Sequence, residues 1–237
     1  MGTGGEKADD RIDFSDWIPI FPLPTAVLLP RTILPLHVFE PRYRAMTRDA
    51  LAGPGLISIA LLRPGFEKKY DSLEPEIHGE VCVGRILRDE RLDDGRYNLL
   101  LQGLVRARVT RENTERAYRR AILEPIPAEP LLQEQEDAYR GKLWRMLAEP
   151  PLLELAQKAN WLDLLYCPDL SFSDLLDVLA SVLLPRPEDK QKFLAEPRVA
   201  VRSKCICGLI EMMATEFAGV QFQPQRPREW PPRYCSN

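Results

Sequence analysis

Residues 33–44 read Ile33-Leu34-Pro35-Leu36-His37-Val38-Phe39-Glu40-Pro41-Arg42-Tyr43-Arg44, and the chain changes character at Glu40. The apolar run before it has the length of a strand and predicts one over Ile33 to Phe39. Beyond it, Pro41 suits a first helical position, and Tyr43, Met46, Ala50 and Leu51 recur at helical spacing until Gly53-Pro54-Gly55 ends the pattern. Glu40 falls at the helix N-terminus, where a carboxylate is favoured.

Working outward, Ile18 to Leu23, Leu56 to Leu62, Gly79 to Leu92, Arg96 to Thr110 and Tyr118 to Ile126 are further apolar runs or alternations bounded by turn residues. Six strands in one block predict a barrel or sandwich. Asp94-Gly95 between two such runs marks a hairpin, because both residues tolerate positive φ. On its second strand Val105, Ala107 and Val109 alternate with Arg106, Arg108 and Thr110, which puts the apolar set inward and the arginines outward. Gly84 and Gly103 interrupt their alternations and predict bulges or bends.

After Pro127 the period changes from strand to helix. Leu132 to Ala148, Pro151 to Leu165, Phe172 to Leu184, Glu188 to Ala195 and Pro197 to Ala218 read as helices. Ser171 with Asp174 three residues on is a capping signature. Leu175, Leu176, Val178, Leu179, Val182 and Leu183 would form one buried stripe, and Val199, Ile206, Leu209, Ile210, Met213 and Phe217 another. The expected organisation is a disordered tail over 1–16, a β-rich unit over 17–127, a helical unit over 128–219 and a Pro/Arg-rich tail over 220–237.

Composition excludes several functions. Thirty-two Lys and Arg against 35 Asp and Glu leave a net charge of -3, too balanced for a dedicated nucleic-acid or membrane-surface binder. Five scattered cysteines, without a basic and apolar leader, point to a reducing cytoplasm. Phosphate-cradling and nucleophile-elbow glycine motifs do not occur. Two histidines cannot assemble a histidine-rich metal site; His37, inside an apolar run, reads as structural and His78 as a surface residue. Cys205 and Cys207 lie two apart in a helical pattern, so their thiols diverge by about 200° and cannot share a metal. No catalytic group, cofactor or metal is therefore expected.

The string Leu34 to Arg44, with Phe21-Pro22-Leu23-Pro24-Thr25-Ala26-Val27-Leu28-Leu29-Pro30 before it, resembles the N-terminal domain of the Lon protease family. Gly79 to Ile86, the Asp-Gly hairpin and Leu101 to Val109 are similar to that domain's later strands, and Asp174 to Leu183 with Asp189 to Leu194 to its helical half. The resemblance implies an α+β fold: a PUA-like twisted β barrel or sheet with one helix, followed by a C-terminal helical bundle. It also implies a standalone form without the ATPase and peptidase modules, hence a non-catalytic protein-binding module. The implied partners are unfolded or tagged protein segments and an ATP-dependent protease, with the chain a monomer or a homodimer and no membrane involved.

Candidate recognition residues are Phe21, Leu36, Phe39, Tyr43 and Arg42 around the first strands and helix. The ordinary alternative is that the apolar ones are core residues. The other reading is an RNA-binding face on the arginine-rich strands, carried by Arg106 and Arg108.

Overall fold

The computed structural model describes residues 12–69 and 75–219. Six strands come first: β1 (Ile18–Leu23), β2 (Ile33–Val38), β3 (Leu56–Leu61), β4 (Glu80–Arg91), β5 (Tyr97–Asn113) and β6 (Arg120–Pro125). Helix α1 (Pro41–Leu51) lies between β2 and β3. The sheet order is β2-β5-β4-β3-β1-β6, and β6 pairs with β5 as well as β1. Strands β5, β4, β3, β1 and β6 therefore close a barrel, with the β1–β3 pair parallel. The long β5 carries a second duty: its first half also pairs with β2, which sits outside the ring.

Closure makes most strands two-faced. Ile18, Ile20, Leu56, Ala60, Val81, Val83, Ala107, Ala121 and Leu123 fill the barrel interior. Ile12 and Phe14 pack against that cluster, so packing starts before Trp17, within the segment expected to be a free tail. Residues 1–11 of that tail and the segment 220–237, Cys235 included, lie outside the described residues. The outer faces of β3 and β4 carry Ile57, Ile59 and Cys82 into a second, larger core shared with the helices. At Gly84 and Gly103, which pair across β4 and β5 beside a register shift, the crossing loop from β1 presses onto the sheet. A Cβ at position 103 would stand 2.1 Å from the Leu29 carbonyl oxygen, so only glycine fits there. Gly95 turns the β4–β5 hairpin at a φ of 81°, as its sequence requires.

The helical half comprises α2 (Gln133–Leu147), α3 (Leu153–Lys158), α4 (Trp161–Leu165), α5 (Phe172–Leu183), α6 (Pro187–Ala195) and α7 (Val199–Gly219). Ser171 Oγ accepts from the Asp174 N–H (3.1 Å) and caps α5. The expected single helix over 151–165 is two, because Asn160 adopts a left-handed conformation at φ 56° between them. Val182 and Phe217 fall on exposed turns rather than in the buried stripes expected of them.

Helices and barrel are joined by a buried ionic cluster. Asp177 on α5 accepts from both terminal nitrogens of Arg106 on β5 and from Arg202 Nη1 on α7 (3.1 Å). Arg106 Nε donates to the Leu194 carbonyl (3.0 Å), and Arg202 Nη2 to Ser173 Oγ (2.8 Å). Burial pushes the Asp177 carboxyl up, opposed by the two guanidiniums. Burial, then the like charge of Arg106, brings Arg202 down.

Candidate functional site

The β2-β5-β4 arm leaves one sheet face uncovered. Its register sets side chains in rows across three strands: Pro35, Leu100 and Arg88 in one, His37, Asn98 and Glu90 in the next. Ile33 with Gln102 and Arg85 forms a third row on the same face. A register shift between Ile86 and Arg88 leaves Leu87 as an extra, exposed residue. Ile33 is 57% exposed, Leu87 51% and Leu100 36%, and Phe39, just past β2, 59%. A hollow of about 520 Å³ opens between Pro35, Leu100, Arg88 and the His37 row.

The polar row is internally bonded. Asn98 Nδ2 donates to Glu90 Oε2 (2.9 Å), which leaves Asn98 Oδ1 to accept from His37 Nδ1–H (2.8 Å). His37 Nε2 then accepts from Arg96 Nη1 (3.1 Å), while Arg96 Nε donates to Asp94 (2.6 Å). The ring of His37 also lies against Phe39, with centroids 6.3 Å apart. His37 is thus exposed on this face and held there by hydrogen bonds.

The open edge of β2 is restricted as a template. The Thr32 carbonyl accepts from Gly103 N–H (2.9 Å), and the alternation this starts turns the backbone groups of Leu34, Leu36 and Val38 toward β5. Ile33, Pro35 and His37 then direct theirs to the edge, and Pro35 brings no donor. A partner meets this arm through side chains on its face more readily than as an added strand.

The residues named from sequence divide sharply. Phe21 and Tyr43 are buried and packed ring against ring at 4.4 Å, so they build the core under α1 instead of a surface. Arg42 bonds Glu40 (2.9 Å) and lies over the Tyr43 ring, fixing the start of α1. Leu36 is half-buried on the core side of β2, while Phe39 is exposed at the rim of the open face. Arg106 points out of the barrel as its alternation requires, yet α5 and α6 cover it there. Arg108 remains exposed, 3.5 Å from Glu80. Ile33, Pro35, Leu87 and Leu100 were not singled out by sequence, although they make the apolar part of the open face.

Other hollows lie among the described residues. One, between α2 and α7, is lined by Leu131, Ala138, Tyr139, Lys142 and Lys204. Another lies beside Trp17, Asp49 and Tyr118, where the Tyr118 hydroxyl donates to Asp49 (2.7 Å). That bond first, with Arg116 beside it, holds the Asp49 carboxyl below the usual carboxylate range. Among the described residues no cluster of three acidic, cysteine or histidine side chains is placed to hold a metal ion. None of the described helices is long and apolar enough to cross a membrane. Burial pushes the Cys82 thiol up to about 12, which makes it a poor nucleophile.

Residues 17–212 match the family described as the ATP-dependent protease La (LON) substrate-binding domain. The chain is 33% identical over 129 residues to Lon protease 2 of Sorangium cellulosum, covering 52% of this chain and 15% of that protein. It is 28% identical over 186 residues to the Lon protease of Syntrophus aciditrophicus, covering 75% of this chain and 22% of that one. The chain thus spans a small part of these relatives. Among solved structures, the N-terminal domain of a Mycobacterium avium complex Lon protease superposes with a TM-score of 0.61 at 17% identity, covering 83% of this chain and 98% of that one. A Lon N-terminal domain protein from Xanthomonas campestris gives 0.56 at 23% identity, covering 81% and 98%.

Proposed function

Because the chain belongs to the Lon protease substrate-binding domain family, we propose that it binds exposed apolar segments of non-native proteins on the open face of β2, β5 and β4. The observation that carries this reading is the exposure of Ile33, Pro35 and Leu100 in adjacent rows of one face, with a hollow lined by Pro35, Leu100 and Arg88, exposed Leu87 at the register shift beside Arg88 and exposed Phe39 stacked on His37 at the rim. Scattered surface hydrophobes are ordinary, but a contiguous set rimmed by polar groups marks an interaction surface. Held there, an unfolded or tagged segment would be presented to an ATP-dependent protease, with this chain acting as recognition module or adaptor and performing no bond cleavage itself. RNA binding has less to stand on, since Arg106 is enclosed with Asp177 and Arg108 faces Glu80.

The test is fluorescence anisotropy with a labelled, permanently unfolded model protein. The double variant Ile33→Ser/Leu100→Ser should weaken binding at least about tenfold, from the loss of two apolar contacts. Val182→Ser, an exposed apolar residue on the helical half, should leave it unchanged. Equal binding by wild type and the double variant, or equal loss in Val182→Ser, would refute this assignment of the surface.

A further inference from the structure

On the open face, the middle row changes polarity from one strand to the next. In the row Pro35, Leu100, Arg88 the first two members are apolar and the third is a cation. Arg88 is exposed, and no carboxylate among the described residues pairs with it. Glu90, the nearest acid in the register, is instead held by Asn98 in the neighbouring row. Arg96 is likewise committed to Asp94. The row therefore offers an apolar seat and, beside it, a guanidinium to which no carboxylate among the described residues is bonded, Glu90 lying one row away on the same face.

Resting on the reading of this face as the binding surface, we propose that it selects extended segments in which an acidic residue lies two positions from a large apolar one. The spacing follows from the sheet. Neighbouring strands are about 4.8 Å apart, so the seat between Pro35 and Leu100 lies about 7 Å from the β4 position of Arg88. Same-side residues in an extended chain repeat at nearly that distance, about 6.7 Å. A segment crossing the strands thus drops its apolar side chain into the hollow and its i+2 carboxylate onto Arg88, where a guanidinium can take it in bidentate fashion. An acid at i+1 points to the opposite side and gains little. Pro35 favours this crossing mode, since it removes a donor that a strand added along β2 would use.

The experiment compares three labelled peptides that differ at one position: Phe-x-Asp, Phe-x-Lys and Phe-Asp-x in an otherwise uncharged extended sequence. With the full chain at low salt, Phe-x-Asp should bind about fivefold more tightly than Phe-x-Lys, as expected for attraction against repulsion at one exposed cation. Phe-Asp-x should fall between them, and the spread should shrink at 0.5 M salt. Arg88→Glu should invert the order, while Arg91→Glu, whose residue pairs with Tyr97 on the other side of the sheet, should keep it. Equal affinities for all three peptides in wild type, or a preference that survives Arg88→Glu, would overturn the proposal. If the unfolded protein still binds through Ile33 and Leu100 in that case, only the selectivity fails. If it does not, the surface assignment falls too.

Discussion

Replacing Asp177 with asparagine removes the charge that two buried guanidiniums share. Its side chain is fully buried, and so are those of Arg202 and, nearly, Arg106. The variant keeps the shape and loses the anion, leaving Arg106 and Arg202 facing one another without compensation. Breaking a buried pair in this way costs about 3–5 kcal/mol. With a urea dependence of about 2 kcal/mol per molar, the unfolding midpoint should fall by about 1.5–2.5 M. Circular dichroism and Trp fluorescence should report the same transition, because the cluster ties α5 and α7 to β5. The triple variant Asp177→Leu/Arg106→Met/Arg202→Met deletes all three charges and should recover most of the loss, since apolar replacements of a buried ionic cluster are often neutral or better. As an exposed control, Arg31→Ala, which breaks the half-exposed pair with Asp174, should cost less than about 1 kcal/mol. A midpoint shift below about 0.5 M for Asp177→Asn, near 1 kcal/mol, would refute the reasoning. So would a triple variant no more stable than the single one.

Gly103→Ala should destabilise by about 1–3 kcal/mol or more, since its Cβ would meet a backbone oxygen at 2.1 Å that no side-chain rotation can move. By contrast Gly208→Ala, in the exposed interior of α7 with nothing within 4 Å of a new Cβ, should stabilise by up to about 1 kcal/mol; thermal unfolding separates the two signs. The carboxyl of Asp49 is depressed in the folded state, so its contribution is present above the unfolded value near 3.8 and is lost as pH falls through the lower folded one. Urea unfolding at pH 5 and pH 3 should therefore show a smaller acid-induced loss in Asp49→Asn than in wild type, and equal losses would remove Asp49 from the account. In the native protein a thiol reagent should label exposed Cys205 before Cys82, whose labelling should wait for unfolding.

Much of the fold could be read from residue order alone. Gly-Pro-Gly after Leu51, Asp94-Gly95, Ser171 with Asp174 and the change of period after Pro127 set most element boundaries, because turn chemistry and periodicity act over a few residues. The resemblance of Leu34 to Arg44 to Lon N-terminal domains further fixed the architecture. The candidate site was much less legible. In β2, Ile33 and Pro35 are as apolar as Leu34 and Leu36, and in β5 Leu100 is as apolar as its neighbours Leu99 and Leu101. A strand apolar on both faces carries no mark of which face stays open. Phe21 and Tyr43 looked like surface candidates for the same reason, and helix α1 buries them.

The arginines of β5 make the division plain. Arg106 and Arg108 are the same residue type, two positions apart, on the same outward side of the strand. Sequence determined that both leave the barrel interior, since alternation is a property of the local backbone. That α5, α6 and α7 come to rest over one of them, delivering Asp177 from 71 residues further along the chain, is settled by packing between distant segments. The same packing leaves the β2-β5-β4 face uncovered, since the helices spend their apolar surface on the other side of the sheet.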